Sequence, residues 1–166
     1  TEPLREIARR QDRALPLVLA LLLDQDVSLR ERQIAEIVRE MDDVTGAAAG
    51  ELYGVVSRLH PMLRLPLASL AFPVLRRRPR PELARFLKTC EVLISIDGHV
   101  AISEYCLGRL LRRQTVESLD PSRFAPIGRR KLIQAKAEVA NLFAVLAQHG
   151  HDSAQAAQRA FVAGLS

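Results

Sequence analysis

One stretch, from Pro81 to Arg113, constrains the fold more than any other part of the chain. Apolar residues recur in it at spacings of three and four on both sides of a short Asp-Gly turn: Leu83, Phe86, Leu87, Cys90, Leu93 and Ile94, then Cys106, Leu107, Leu110 and Leu111. This period is that of one face of an α-helix. Two amphipathic helices joined by so short a turn form an antiparallel hairpin whose apolar stripes face a shared core.

The turn between the two stripes, residues 96–100, has its own stereochemistry. Gly98 can adopt a positive φ without a steric penalty, and Asp97 can accept hydrogen bonds from the amides that follow it. Glu104 is expected in the first turn of the next helix, where a negative charge suits the helix dipole. We therefore predict that Asp97 and Gly98 are structural turn residues and that Val100 points inward.

The same turn is similar to the second half of a calcium-binding EF-hand loop. Such a loop also needs oxygen ligands four and two residues before the Asp, where this chain has Leu93 and Ser95. Because most of the oxygen ligands are missing, a helix–helix turn is the preferred interpretation. Asp97, His99 and Glu104 are the candidate metal ligands that remain, and His99 is expected to be exposed.

The histidines of the chain do not form a zinc-peptidase motif. That motif places two His four residues apart on one helix with Glu between them, and none of His60, His99, His149 and His151 has such a partner. His149 and His151, with Asp152, are a second and weaker candidate metal site. The chain also lacks a G-x-S-x-G elbow and a Gly-rich phosphate loop. We therefore predict no catalytic residues and no cofactor in these residues.

Composition predicts the fold class. Of the 166 residues 48% are hydrophobic but only 4% are aromatic, so Leu and Ala supply the apolar surface, which is typical of helical domains. The most apolar run, Leu15 to Leu23, has nine residues including Pro16, whereas a bilayer span needs about 20. We expect an all-α fold, an irregular bundle of about eight helices around the central hairpin.

The net charge of the chain is +5, and many of its basic residues lie in short runs. The densest run contains Arg76, Arg77, Arg78 and Arg80, which are candidates for a surface that binds an anionic partner. A solvated basic linker is the plainer interpretation. An anionic membrane surface is favoured over nucleic acid because no aromatic residues alternate with these charges.

Capping and turn residues predict several helix boundaries. Ser28 and Glu31 form a capping box, so a helix should begin at Ser28. Asp42 and Asp43 oppose the dipole of a helix C-terminus and should lie in the loop that ends it, with the next helix beginning at Ala47.

The later boundaries depend on proline and on a second capping residue. A helix is predicted from Pro66 with a kink at Pro73, and two helices broken at Pro66 are the alternative. Residues 115–128 have no periodicity and are predicted to be a loop. A helix ending at Gly150 should have an apolar face that includes Leu142 and Leu146, and Asp152 should cap the last short helix.

The turn Ile96-Asp97-Gly98-x-Val100-x-x-x-Glu104 after an amphipathic helix resembles the TerB-like, or tellurite-resistance, all-helical domain. Three further short sequence segments extend the resemblance over most of the chain: Leu63-Arg64-Leu65-Pro66-Leu67, Leu107-x-x-Leu110-Leu111-Arg112-Arg113 and Gly150-His151-Asp152. Together they resemble the helical region that follows the peptidase domain in large bacterial membrane-bound zinc metallopeptidases of the HtpX-like family.

This resemblance implies a non-catalytic accessory or interaction domain of a longer protein, and a chain that begins at Thr1 without Met agrees with a fragment. Residues 1–166 would be one domain, with N-terminal helices in 1–78 and the TerB-like hairpin and C-terminal helices in 81–166. Zinc and the catalytic residues would belong to an upstream peptidase domain. That domain would be the intramolecular partner, beside a protein substrate or another protein partner.

The resemblance also implies a position at the cytoplasmic face of an inner-membrane protein. Cys90 and Cys106 agree with a reducing compartment, because lone cysteines at core positions need no disulfide. The alternative is a free-standing TerB-like module that binds a metal or an anionic partner.

Overall fold

The structure, a computed structural model, describes residues 2–120 and 131–165. Within these ranges the chain forms helices and no strand, so the predicted all-α class is confirmed. Nine α-helices are described there, one more than predicted: α1 (Glu2–Arg9), α2 (Ala14–Ala20), α3 (Val27–Glu40), α4 (Asp43–Val56), α5 (Pro61–Leu75), α6 (Arg80–Ser95), α7 (Ile102–Leu119), α8 (Lys136–Gly150) and α9 (Ala154–Gly164). A 3-10 helix, Leu132–Ala135, precedes α8.

The chain divides into two compact units, Thr1–Phe124 and Ala125–Ser166. The first contains α1 to α7, and the second contains the 3-10 helix, α8 and α9. Helices on the two sides of residues 78–81 are in contact, since α3 packs on α6 and α5 packs on α7. The expectation that residues 1–166 form one domain stays a prediction.

Helix α2 is the centre of the first unit. Every residue from Ala14 to Leu23 is buried, and Pro16 lies in the first turn, where proline is tolerated. Helices α1, α4 and α5 pack around α2. The surrounding helices complete the core with one stripe each, including Leu4, Ala8, Ile37, Ala49, Leu52, Val56, Leu67, Ala71, Leu75, Phe86, Cys90, Leu93, Leu107 and Leu111.

Gln33, on α3, is a fully buried polar residue that connects three parts of this core. Its side-chain amide donates to the carbonyl oxygens of Leu22 at 3.1 Å and Leu93 at 3.3 Å. Its Oε1 accepts from the backbone amide of Asp24 at 2.8 Å. One side chain thus satisfies the backbone where α2 ends and where α6 approaches it.

The predicted start of α3 at Ser28 is wrong. The helix begins at Val27, and Asp26 is its N-cap, with a carboxylate that accepts from the amide of Leu29 at 2.8 Å. Aspartate is as good an N-cap as serine and also suits the positive end of the helix dipole. The carboxylate two residues earlier therefore takes the capping position.

Asp42 and Asp43 begin a helix instead of lying in the loop that ends one, so the predicted start of α4 at Ala47 is wrong as well. The Asp42 carboxylate accepts from the amide of Thr45 at 2.7 Å, and Asp43 lies in the first turn. The acidic pair would be unfavourable at the C-terminus of α3, but it is favourable at the N-terminus of α4, which follows directly.

Helix α5 runs from Pro61 to Leu75 without interruption, so both the start at Pro66 and the break at Pro66 are wrong. His60 caps the helix through Nδ1, which accepts from the amide of Met62 at 3.3 Å, and Pro61 occupies the favoured first position. Pro66 and Pro73 are both exposed, so the carbonyls that lose their partners in the helix can be hydrated.

The predicted loop from residue 115 is wrong over its first residues, because α7 continues to Leu119. Thr115 is buried and extends the stripe of Leu107 and Leu111 by one more turn. A threonine among leucines hid this extension in the sequence pattern. Residues 121–128 of the predicted loop lie outside the described residues.

The second unit is a helical pair in which α8 contacts α9. Ser153, not Asp152, caps α9, with a hydroxyl that accepts from the amide of Ala156 at 3.2 Å. Leu142 and Leu146, which lie on the predicted apolar face of α8, are 56% and 49% exposed.

Candidate functional site

The turn between α6 and α7 is built by two short-range features. Gly98 has a φ of 78°, the positive value that the sequence favours there, and no other residue described has a positive φ. The Asp97 carboxylate accepts from the amide of His99 at 2.9 Å. These features reverse the chain so that α6 and α7 pack side by side.

The start of α7 holds a carboxylate in a partly buried position. Glu104 Oε2 accepts from the amide of Ala101 at 2.8 Å. Burial raises the pKa of the Glu104 carboxyl, and the negative charges of Asp97 and Asp24 raise it further. The predicted inward orientation of Val100 is wrong: this side chain is 53% exposed beside the turn.

The structure does not assemble a metal-ligand set from the candidate residues. In residues 2–120 and 131–165 no three or more His, Cys, Asp or Glu side chains are grouped so that they could hold a metal ion. Asp97 and Glu104 each bind a backbone amide of the turn, and His99 is exposed. In the second unit, His151 Nδ1 lies 3.1 Å from the carbonyl oxygen of Ala147, while His149 and Asp152 are exposed.

The basic run separates into residues with different roles. Arg78 is half-buried, forms an ion pair with Glu82 and donates to the carbonyl oxygen of Gln11 at 2.6 Å, so it connects the turn before α6 to the segment after α1. Arg76, Arg77 and Arg80 are exposed. The sequence could not reveal this division, because the contact of Arg78 with Gln11 joins segments that are far apart in the chain.

A groove of about 260 Å³ follows the hairpin along α6 and α7. Its floor consists of Leu87, Cys90, Ile94 and Leu111, and its rim carries Val100, Tyr105, Arg109 and an ion pair of 2.7 Å between Glu91 and Arg112. Gly108 allows Ile94 to pack closely against α7, because a Cβ at this position would lie only 2.8 Å from Ile94 Cδ1.

Neither cysteine is paired in the described residues. Cys90 is buried at the groove floor, and burial raises the pKa of its thiol. Cys106 is half-buried, so it lies at the margin of the stripe on which the sequence pattern placed it. A thiol with a raised pKa is a poor nucleophile, which makes Cys90 a packing residue.

Sequence reasoning did not find the groove, although two signals for it exist. Val100 and Tyr105 are apolar or aromatic residues outside the apolar stripes, and Gly108 interrupts the second stripe where a side chain would otherwise fill the space.

None of the described helices combines the length and the apolar character that crossing a bilayer requires. Comparison with protein-family models, curated proteins and solved structures finds no match for this chain.

Proposed function

We propose that this chain is a non-catalytic interaction module whose groove between α6 and α7 binds another protein segment. The observation that carries this proposal is the pair of side chains at the groove rim, Val100 and Tyr105, which are 53% and 58% exposed above an apolar floor. Exposed apolar and aromatic side chains at a concave surface are typical of protein-binding sites. The groove requires no chemistry other than packing.

The charges at the rim indicate what the bound segment carries. Arg112 is neutralised by Glu91, whereas Arg109 is exposed and has no carboxylate partner in the described part of the chain. A segment with apolar residues for the floor and an acidic residue opposite Arg109 would match both features. An amphipathic helix or an extended strand with one carboxylate meets this description.

We assign the bound segment to the peptidase domain of a longer protein, a membrane-associated zinc metallopeptidase of the HtpX-like kind. Support comes from the resemblance of the turn from Ile96 to Glu104, whose Asp-Gly geometry and Glu104 contact are the features that such a turn needs. In this proposal zinc and catalysis belong to the upstream domain, and the module lies at the cytoplasmic face of the inner membrane.

The full open reading frame tests the parentage. It should encode, before Thr1, a helix with His-Glu-x-x-His and apolar spans long enough to cross a membrane. A reading frame that begins close to Thr1, or that lacks the zinc motif, would refute the peptidase assignment and leave the interaction module without its proposed partner.

Photo-crosslinking tests the groove in the protein that the full reading frame encodes. A photoreactive phenylalanine analogue at position 105 should crosslink to the upstream domain, whereas the same analogue at position 44, an exposed site on α4, should not. Val100→Asp should then lower the crosslink yield at position 105 at least tenfold, while the matched Val44→Asp leaves it unchanged. Equal crosslinking from both positions would contradict a binding groove.

A further inference from the structure

A second cavity, of about 300 Å³, lies where the end of α2 meets the starts of α5 and α7. It shares no lining residue with the groove. Its volume is at the lower end of the roughly 300–1,000 Å³ that ligand pockets occupy, which suits a ligand the size of an amino acid. Leu22, Leu65 and Leu107 give it an apolar floor, and charged residues form part of its wall.

Arg64 is the cation of that wall, and its guanidinium is incompletely satisfied. Its Nε is shielded from solvent and has no hydrogen-bond partner among residues 2–120 and 131–165. Arg64 forms no ion pair with Asp24 or Glu104, although all three line the same cavity. A shielded guanidinium nitrogen without an acceptor is destabilising, and the groups that match a guanidinium best are carboxylates and phosphates. The two carboxylates of the same wall disfavour a phosphate by like-charge repulsion.

Asp24 and Glu104 are the two anions of the wall, and each has one oxygen engaged. Asp24 Oδ1 accepts from the amide of Asp26 at 2.7 Å, and Glu104 Oε2 accepts from the amide of Ala101 at 2.8 Å. Their remaining oxygens have no partner within the described residues. The two carboxylates are close enough that the charge of Asp24 raises the pKa of Glu104. A small cation that donates several hydrogen bonds, such as an ammonium group, would relieve this repulsion.

We infer that this cavity binds an apolar amino acid, either free or as the N-terminal residue of a peptide. The ammonium group lies between Asp24 and Glu104, the neighbouring carboxyl or carbonyl oxygen accepts from Arg64, and the side chain packs on the leucine floor. Both sources of the ligand present the same ammonium, oxygen and apolar groups. The inference goes beyond the proposed function and does not depend on it.

Titration calorimetry of the whole chain with three probes tests this inference. L-leucine and the tripeptide Leu-Gly-Gly both carry the ammonium group, whereas N-acetyl-leucine lacks it. We expect saturable binding of leucine or of the tripeptide at micromolar to millimolar concentration, and at least tenfold weaker binding of N-acetyl-leucine. Tighter binding of free leucine identifies the amino acid as the ligand, and equal or tighter binding of the tripeptide identifies a peptide N-terminus. Equal binding of N-acetyl-leucine, or no binding of any probe, would overturn the inference.

Paired variants locate the binding in the cavity. Arg64→Met removes the guanidinium and keeps an apolar stem, and Glu104→Gln removes one charge; each should weaken binding of the preferred probe at least tenfold. Arg58→Met and Glu31→Gln make the same changes at exposed positions outside the cavity and should change binding less than twofold. Circular dichroism and the melting temperature, both measured without ligand, verify that each variant folds. Arg64→Lys provides a second test at this position, because it retains the positive charge of the side chain. Similar losses in the cavity variants and the controls would refute the site, while crosslinking from position 105 reports separately on the groove.

Discussion

Helices α2 and α8 are both rich in Leu and Ala, yet the protein buries them to very different extents. All seven residues of α2, from Ala14 to Ala20, are buried. In α8, from Lys136 to Gly150, Ala147 is the one residue that is buried, while Leu142 and Leu146 are about half exposed. Two helices that share an abundance of Leu and Ala, although α8 also carries polar residues, therefore have opposite environments.

The difference follows from the number of helices that pack around each one. Helix α2 has α1, α4 and α5 as neighbours, whereas within its own unit the α-helix that α8 contacts is α9. A helix with one helical neighbour can bury only a narrow seam, and here that seam is made of small residues, Ala147 and Ala157. A composition rich in Leu and Ala thus predicts helices, but the packing of neighbouring helices decides which side chains are buried.

The largest expected effect comes from the same Leu→Ala truncation made in both helices. Leu17→Ala, at a position with no exposed surface, should lower the free energy of unfolding by about 2–5 kcal/mol, because it removes buried methyl groups and leaves a cavity. Leu146→Ala, at a position that is 49% exposed, should lower it by less than about 1 kcal/mol. Urea unfolding followed by far-UV circular dichroism measures both. Equal losses would mean that α8 is as well packed as α2.

A buried polar residue gives the next largest effect. Gln33→Leu removes the partners of the Leu22 and Leu93 carbonyls and of the Asp24 amide, so we expect a loss of about 2–3 kcal/mol. Gln148→Leu, on the exposed surface of α8, is the matched control and should change stability by less than about 0.5 kcal/mol. Hydrogen exchange of the Asp24 amide provides a local measurement, and unchanged protection in Gln33→Leu would contradict the proposed role of this side chain.

The hairpin turn should respond to backbone strain. Gly98→Val places a β-branched residue at a φ of 78°, which we expect to cost about 1–3 kcal/mol even though no atom lies within 4 Å of the new Cβ. Gly150→Val meets no atom within 4 Å either, and Gly150 lacks a positive φ, so its effect should stay below about 0.5 kcal/mol. Melting temperatures compare the two variants. Similar shifts would show that the turn tolerates a side chain and that its geometry is not essential.

The sequence was sufficient for the fold class and for the central hairpin. A repeating apolar stripe indicates the helical period, and an Asp-Gly pair between two stripes indicates the turn. The bounds of α6 and the start of α7 were therefore predicted closely, whereas α7 continues to Leu119, beyond the predicted end of the hairpin at Arg113. It was not sufficient for helix starts, where Asp26 and Asp42 took the capping positions. Local patterns offer several acceptable caps, and the packing of the whole unit selects one of them.

The candidate sites were less predictable than the fold because they depend on contacts between distant segments. One partner of Arg78 is the carbonyl of Gln11, 67 residues away, and nothing in the run of arginines indicates it. The cavity that contains Arg64, Asp24 and Glu104 likewise joins three segments that are separate in the sequence. Residue type suggested Glu104 as a metal ligand, whereas in the structure it lines the same cavity as an arginine.

The smallest expected effect concerns a single charge in the first turn of a helix, where α7 has Glu104 and α8 has Glu138. Because burial, and then the charges of Asp97 and Asp24, raise the pKa of Glu104 in the folded state, the folded protein binds this proton more tightly than the unfolded chain does. The stabilising contribution of Glu104 is therefore fully present below the pKa of an unfolded Glu, about 4.3, and is lost as the pH rises through the raised folded value. Between about pH 4 and pH 7, Glu104→Gln should gain stability relative to the wild type, measured by urea unfolding at each pH, and Glu138→Gln is the comparison at a second helix N-terminus. If Glu104→Gln instead loses stability relative to the wild type over this pH range, the hydrogen bond from the Ala101 amide to the ionised Glu104 carboxylate outweighs the cost of burial. Glu104 would then be as well accommodated as a carboxylate at an exposed helix start.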